Sequence, residues 1–269
     1  MKYPIFLNSI PKSGTHLLAK ALIGLPGVSH SGSHLERKKL AEFVDPGVDF
    51  PVEGREDMHI PNDMPAIERL LRTIGPGQFI TAHMVFNYPM CKAMREMNYK
   101  KLLLFRDPRD VVLSWADYIV KEQAHLLYPF FSQTDLDFRI LSGIRGVSGD
   151  ITGTRRQEPI AELLTRYARW KTEDDAFFVK FEDLIGEKGG GSRDAQKKVI
   201  EGIAAYLEIE CPDSVIDTIC DSLFGGTYTF NKGLIGGWRD RFTEKHKAVF
   251  KEETGDLLIQ LGYESGMGW

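Results

Sequence analysis

The chain has 269 residues, 42% hydrophobic and 27% charged, an ordinary globular make-up with enough apolar material for one large α/β domain spanning 1–269. Its net charge of −4 excludes a general binder of nucleic acid or anionic membrane while permitting a local basic pocket. No stretch approaches the roughly 18 apolar residues of a membrane span, Met1–Ile10 lacks a signal-peptide core, and Cys91, Cys211 and Cys220 lack metal-ligand spacing, so a reducing, cytoplasmic location is expected.

Short apolar runs alternate with amphipathic stretches, the pattern of a central parallel sheet flanked by helices. Ile5–Leu7 predicts a first strand, Ser9–Gly14 a turn, and Thr15–Leu25 a helix stopped by Pro26-Gly27. Asp63 can cap a helix that buries Ile67, Leu70, Leu71 and Ile74. A second strand follows at Gln78–Ala82, then a helix over Pro89–Met97. Leu102–Phe105 is wholly apolar, as a strand buried on both faces requires. Pro108 suits the first turn of a helix carrying Val111, Val112, Trp115 and Ile119 inward. Ala161–Thr172 predicts another helix and Phe177–Phe181 another strand. The segments 42–61 and 122–159 lack steady periodicity and are expected to be lids or binding loops. Glu187–Asp194, which contains Gly189-Gly190-Gly191, predicts a flexible surface loop.

Two segments carry chemistry. Ile10-Pro11-Lys12-Ser13-Gly14-Thr15-His16-Leu17-Leu18 joins the first strand to the first helix. Gly14 lets the backbone approach an anion, and the helix N-terminus offers unpaired N–H groups. Ser13 and Thr15 add hydroxyls and Lys12 a mobile charge. The segment lacks the leading glycine and the Gly-Lys-Ser/Thr order of a Walker A loop. Arg106-Asp107-Pro108-Arg109-Asp110 leaves the carboxyl end of the Leu102–Phe105 strand, with Ser114 two turns further on. Arg106 and Ser114 can share one phosphate, and surface ion pairing among Arg106, Asp107, Arg109 and Asp110 is the alternative.

Lys12-Ser13-Gly14-Thr15 resembles the loop with which sulfotransferases dependent on 3′-phosphoadenosine-5′-phosphosulfate (PAPS) hold the 5′-phosphosulfate. Arg106 with Ser114 resembles that family's 3′-phosphate site, Phe181-Glu182-Asp183-Leu184 its strand-ending segment, and Lys232–Thr243 its glycine–tryptophan signature. The resemblance implies a P-loop NTPase-like sulfotransferase fold that uses PAPS, with PAP as product, and requires no metal. It implies that Lys12 stabilises charge on the leaving phosphate and that Ser13, Gly14, Thr15, His16 and Leu17 line the cofactor. Lys232 and Gly233 then fold over the 3′-phosphate. His83, after the Gln78–Ala82 strand, matches the position of the family's general base.

The chain departs from the pattern at four positions. Leu17 stands where many relatives have a tryptophan, so adenine stacking is lost or supplied by Phe224 or Trp238, which the sequence leaves open. Asn231 replaces a common arginine, Gly237 an aspartate and Phe181 a tyrosine. His30 and His34 have helical spacing with no third ligand for zinc. The expected partner is a small-molecule acceptor with a hydroxyl or amine, polar or cationic if the acids of 42–61 border the pocket; a homo-oligomer is compatible with the sequence. A P-loop kinase and a non-catalytic PAP-binding protein are the alternatives.

Overall fold

The computed structural model describes residues 2–48, 50, 63–226 and 233–269. The chain packs as two compact units, Met1–Phe105 with Trp170–Leu234, and Arg106–Arg169 with Ile235–Trp269.

The first unit opens with β1 (Ile5–Ser9), buried along its whole length, then α1 (Thr15–Gly24), β2 (Ser29–Leu35) and the short α2 (Arg37–Leu40). α3 (Met64–Arg72) starts where Asp63 Oδ1 accepts the Ala66 N–H at 2.9 Å, the cap expected from the sequence. β3 (Gln78–Ala82), α4 (Tyr88–Glu96) and β4 (Lys100–Phe105) complete the first pass. The second unit then contributes α5 (Pro108–Tyr118), α6 (Tyr128–Phe131), α7 (Leu136–Arg145), α8 (Gly149–Thr152) and α9 (Ile160–Ala168). The chain returns to the first unit for β5 (Ala176–Lys180), α10 (Phe181–Leu184), α11 (Arg193–Tyr206) and α12 (Asp213–Leu223), and ends in the second with α13 (Glu244–Gln260).

Among the described residues the sheet is five-stranded in the order β2-β3-β1-β4-β5, with every pairing between these strands parallel. β1 lies between β3 and β4, with Asn8 opposite Ala82 and Ser9 opposite Leu104. Chain order therefore reverses direction across β1, and the carboxyl ends of such strands are where open α/β sheets receive ligands.

Three expectations change. β2 has the sequence Ser-His-Ser-Gly-Ser-His-Leu, which no apolar alternation announces; as an edge strand it needs little burial, and it makes Gln78–Ala82 the third strand. The segment 122–159 is not a loop but holds four-residue α6 and α8 and ten-residue α7, with Ile119, Leu127 and Phe131 fully buried against Trp115 and Phe130. Gly189 is buried in a tight turn: a Cβ there would overlap the Ile185 side chain and lie 2.6 Å from the Gly233 carbonyl oxygen. The glycine run is a close-packing device rather than a flexible loop.

Candidate functional site

The anion cradle is built by the backbone before any side chain. Lys12 has φ 71 and Gly14 φ 99, left-handed conformations that cost a residue with a Cβ on the order of 1–3 kcal/mol and concentrate at functional turns. Gly14 is required twice over, because a Cβ there would also come within 2.7 Å of Phe181 Cδ2. Among the described residues no side chain caps α1, and the N–H groups of its first turn, at Thr15 and His16, have no helical acceptor and carry the positive end of the helix dipole. Ser13 is fully buried, and its Oγ has no hydrogen-bond partner among the described residues. A buried hydroxyl without a partner is costly, and here it accompanies the uncapped helix end and the strained turn. Together they fit an anionic phosphate or sulfate oxygen. Leu17 is buried in the core, while His16 is exposed.

His83 follows β3 and is fixed from both sides. Asn8 Nδ2 donates to the Met84 carbonyl and Met84 N–H donates to Asn8 Oδ1, each at 2.8 Å, while Trp170 Nε1–H also donates to that carbonyl at 2.9 Å. The His83 ring places Nδ1 2.9 Å from the Ser9 carbonyl oxygen. A carbonyl only accepts, so Nδ1 carries the proton and Nε2 keeps its lone pair. Burial lowers the His83 pKa to about 4, with the Ser9 carbonyl opposing the shift and His16 and Lys12 adding to it. The imidazole is therefore neutral near pH 7, with the Nε2 lone pair available to accept a proton. Ser9 Oγ lies 2.6 Å from Thr15 Oγ1, linking the His83 anchor to the cradle.

The Arg106–Ser114 segment belongs to the second unit. Asp107 caps α5, accepting the Arg109 N–H at 2.9 Å. Arg109 and Asp110, which the sequence permits as surface ion pairs, are both buried. The Arg109 guanidinium pairs with Asp107 at 2.7 Å and Glu264 at 2.5 Å, and lies 4.0 Å from the Trp238 ring centre and 4.4 Å from that of Trp269. Asp110 accepts the N–H groups of Gly236 at 2.7 Å and Trp238 at 3.0 Å. Burial raises the Asp110 pKa, while the Arg106 charge and these two N–H groups pull it back. Asp110 thus ties the glycine–tryptophan signature to α5, a role that residue spacing does not disclose. Arg106 and Ser114 are half-buried at the start and in the second turn of that helix.

The remaining candidates are placed as follows. Phe181 opens α10 and packs on Gly14, so an aromatic ring without a hydroxyl suffices there. Phe224 ends α12 half-buried, where Lys20 of α1 donates to the carbonyls of Ser222 and Gly225. Trp238 is buried between Arg109, Phe242 and Trp269. Gly233 lies against Gly189. Asn231 and Lys232 lie outside the described residues, as do most acids of 42–61; Glu42 pairs with Lys39 and Asp45 with Arg69. His30 and His34 sit on a strand, not a helix. Among the described residues no cluster of His, Cys, Asp or Glu could hold a metal ion, and no helix is long and apolar enough to cross a membrane.

A parallel sheet whose central strand runs into a glycine-containing turn at a helix N-terminus is the arrangement at which α/β proteins commonly receive anionic ligands. The family model of the sulfotransferase domain matches residues 2–224, and the chain belongs to the sulfotransferase family. Among solved structures it is similar to mouse sulfotransferase SULT7A1 complexed with PAP, at 19% identity and TM-score 0.62 over 96% of this chain and 84% of that one. It is also similar to retinol dehydratase in a complex with retinol and PAP, at 17% identity and TM-score 0.57 over 96% of this chain and 81% of that one. The complex of retinol dehydratase with androsterone and inactive cofactor PAP gives 18% identity and TM-score 0.58 over 95% and 80%. These likenesses are likenesses of fold. No curated protein sequence gives a significant match.

Proposed function

We propose that the chain, 1–269 acting as one cytoplasmic sulfotransferase domain, moves a sulfuryl group from PAPS to a hydroxyl or amine of a small-molecule acceptor. The observation that carries this reading is the junction at Ser9. Its carbonyl sets the tautomer of His83, and its hydroxyl joins Thr15 of the anion cradle. PAPS supplies an activated sulfuryl group on a phosphate leaving group. His83 Nε2 takes the acceptor's proton as the acceptor atom bonds to sulfur on the face opposite the leaving oxygen. The S–O bond to the phosphate breaks, its electron pair stays on the phosphate, and the Lys12 ammonium offsets the charge that collects there. Ser13, Gly14, Thr15 and His16 hold the 5′-phosphate. Arg106 and Ser114 take the 3′-phosphate, with Asn231, Lys232 and Gly233 closing over it. Phe224 is the residue for adenine stacking, because Trp238 is already enclosed by Arg109 and Trp269. A sulfuryl group bears less negative charge than a phosphoryl group, so lysine and backbone donors suffice without a metal. PAP in the mouse sulfotransferase and retinol dehydratase structures supports the choice of nucleotide.

Calorimetric titration with PAP, with and without Mg²⁺, tests the reading on the wild type and on Arg106→Ala. Metal-independent binding that the substitution weakens at least tenfold is expected. Binding of ATP–Mg²⁺ in place of PAP would overturn it in favour of a kinase, and PAP binding with no sulfated product from any acceptor would leave a nucleotide sensor.

A further inference from the structure

The edge strand β2 contains a device that the proposed reaction does not by itself explain. Its register against β3 shifts between His30 and His34: His30 lies opposite Phe79, yet His34 lies opposite Thr81. Four steps along β2 thus match two along β3. The slack is taken up at Ser31–Ser33, where Gly32 has φ 80, its N–H donates to His30 Nδ1 at 2.8 Å, and the Ser33 N–H donates to Ser31 Oγ at 3.2 Å. In unbroken register His34 would fall level with residue 83, beyond the end of β3. The bulge draws it back by two positions, and bulges beside active sites commonly re-aim a side chain in this way. The result is specific. His34 Nδ1 lies 2.8 Å from Thr81 Oγ1, and the His34 ring packs against the His83 ring at 5.1 Å between centres and 64° between planes. Thr81 and His83, two residues apart, lie on the same side of the β3 path.

We propose that His34, anchored by Thr81, is the positioning residue for His83. Its ring walls the His83 imidazole into the orientation that keeps Nδ1 on the Ser9 carbonyl and Nε2 open. This rests on His83 being the base. The titratable groups facing the pair are His16, His30 and Lys12. Burial first, then His83, His16 and His30, lower the His34 pKa to about 3, so the wall is uncharged and does not repel His83 when it accepts a proton.

Long-range ¹H–¹⁵N spectra of the full chain at pH 7 report the tautomer of His83 without any acceptor. The wild type is expected in the Nδ1–H form. His34→Ala, or His34→Gln should the alanine variant misfold, is expected to give a mixture of the two tautomers. Thr81→Val should do the same, while Thr81→Ser should retain the wild-type spectrum. Turnover of PAPS with water as acceptor, read as PAP released, should fall about tenfold or more in His34→Ala and Thr81→Val with an unchanged KM for PAPS. An unchanged His83 tautomer in His34→Ala overturns the proposal, as does unchanged turnover. If His83→Ala turns over PAPS as fast as the wild type, the base assignment fails, and the spectra still decide whether His34 holds that ring.

Discussion

Replacing Ser13 with alanine should make the ligand-free protein more stable and the PAP complex weaker. Ser13 is 0% exposed, with no hydrogen-bond partner for Oγ among the described residues. A buried hydroxyl in that state costs about 1–3 kcal/mol, and deleting one oxygen returns part of it, leaving a net gain of about 1 kcal/mol. For a chain of this length that raises the melting temperature by about 2–4 °C. In the complex proposed above the same hydroxyl would meet a phosphate oxygen, and a hydrogen bond to a charged group contributes about 1.5–3 kcal/mol, so affinity for PAP should fall about ten- to hundredfold. The two melting curves must therefore cross. Ser13→Ala melts higher without PAP and lower at PAP concentrations that saturate the wild type, since bound ligand adds stability by mass action. Scanning calorimetry across a PAP series, with isothermal titration of both proteins, reads both quantities. A variant that melts lower when ligand-free yet binds PAP as the wild type does would refute the cradle, because Ser13 would then be satisfied within the protein and idle toward the anion.

Gly189→Ala should push the Gly233 carbonyl away from the turn that supports it, costing about 1–3 kcal/mol in urea unfolding and lowering PAP affinity. Lys101 is fully buried, 2.8 Å from Glu173, which also pairs with Arg95 at 3.2 Å. Lys101→Met should cost about 3 kcal/mol, and adding Glu173→Leu should recover much of that loss, as urea melts of the single and double variants will show. His83 and His34 have folded-state values of about 4 and 3, below the ordinary 6.5. The unfolded chain thus binds protons first as pH falls, so stability should decline from about pH 6.5 downward, by up to about 1.4 kcal/mol per pH unit for each group, until the folded rings protonate. His83→Phe should flatten that decline in equilibrium unfolding. In the active enzyme, the acid limb of kcat/KM should lie near pH 4 rather than near 6.5.

The strand–turn–helix geometry around Lys12–Thr15 was legible in the sequence because it is local. A strand end, a glycine and a helix start within nine residues set the backbone, and β1 and α1 fall where the apolar run and the Pro26-Gly27 stop place them. β4 was legible for a similar reason, since burial on both faces leaves an unbroken apolar run. The features that escaped depend on pairing or burial, which residue spacing does not encode. Arg106-Asp107-Pro108-Arg109-Asp110 reads equally as a phosphate contact or as surface ion pairing, and nothing in its spacing marks Arg109 and Asp110 as buried. The aromatic rings of Trp238 and Trp269, distant in sequence, and the N–H groups of Gly236 and Trp238 make it a core. The glycines at 189–191 suggest freedom until the Gly233 backbone is seen to occupy the space a side chain would need.

β2 is the sharpest case, and it bears on the base proposed at His83. Its polar sequence gives neither a strand period nor a ligand pattern, and its two histidines have helical spacing only by coincidence. The bulge converts that spacing of four into two places along β3, which brings His34 to Thr81 and its ring to His83. A carboxylate in the same place would hold His83 equally well but would favour its protonated form. A neutral imidazole anchored by a hydroxyl gives orientation without that charge, so His83 stays deprotonated while lying close to Lys12 and the anion cradle. The edge strand's tolerance for polar residues and irregular register, which conceals it from sequence analysis, is also what allows the chain to place such a group there.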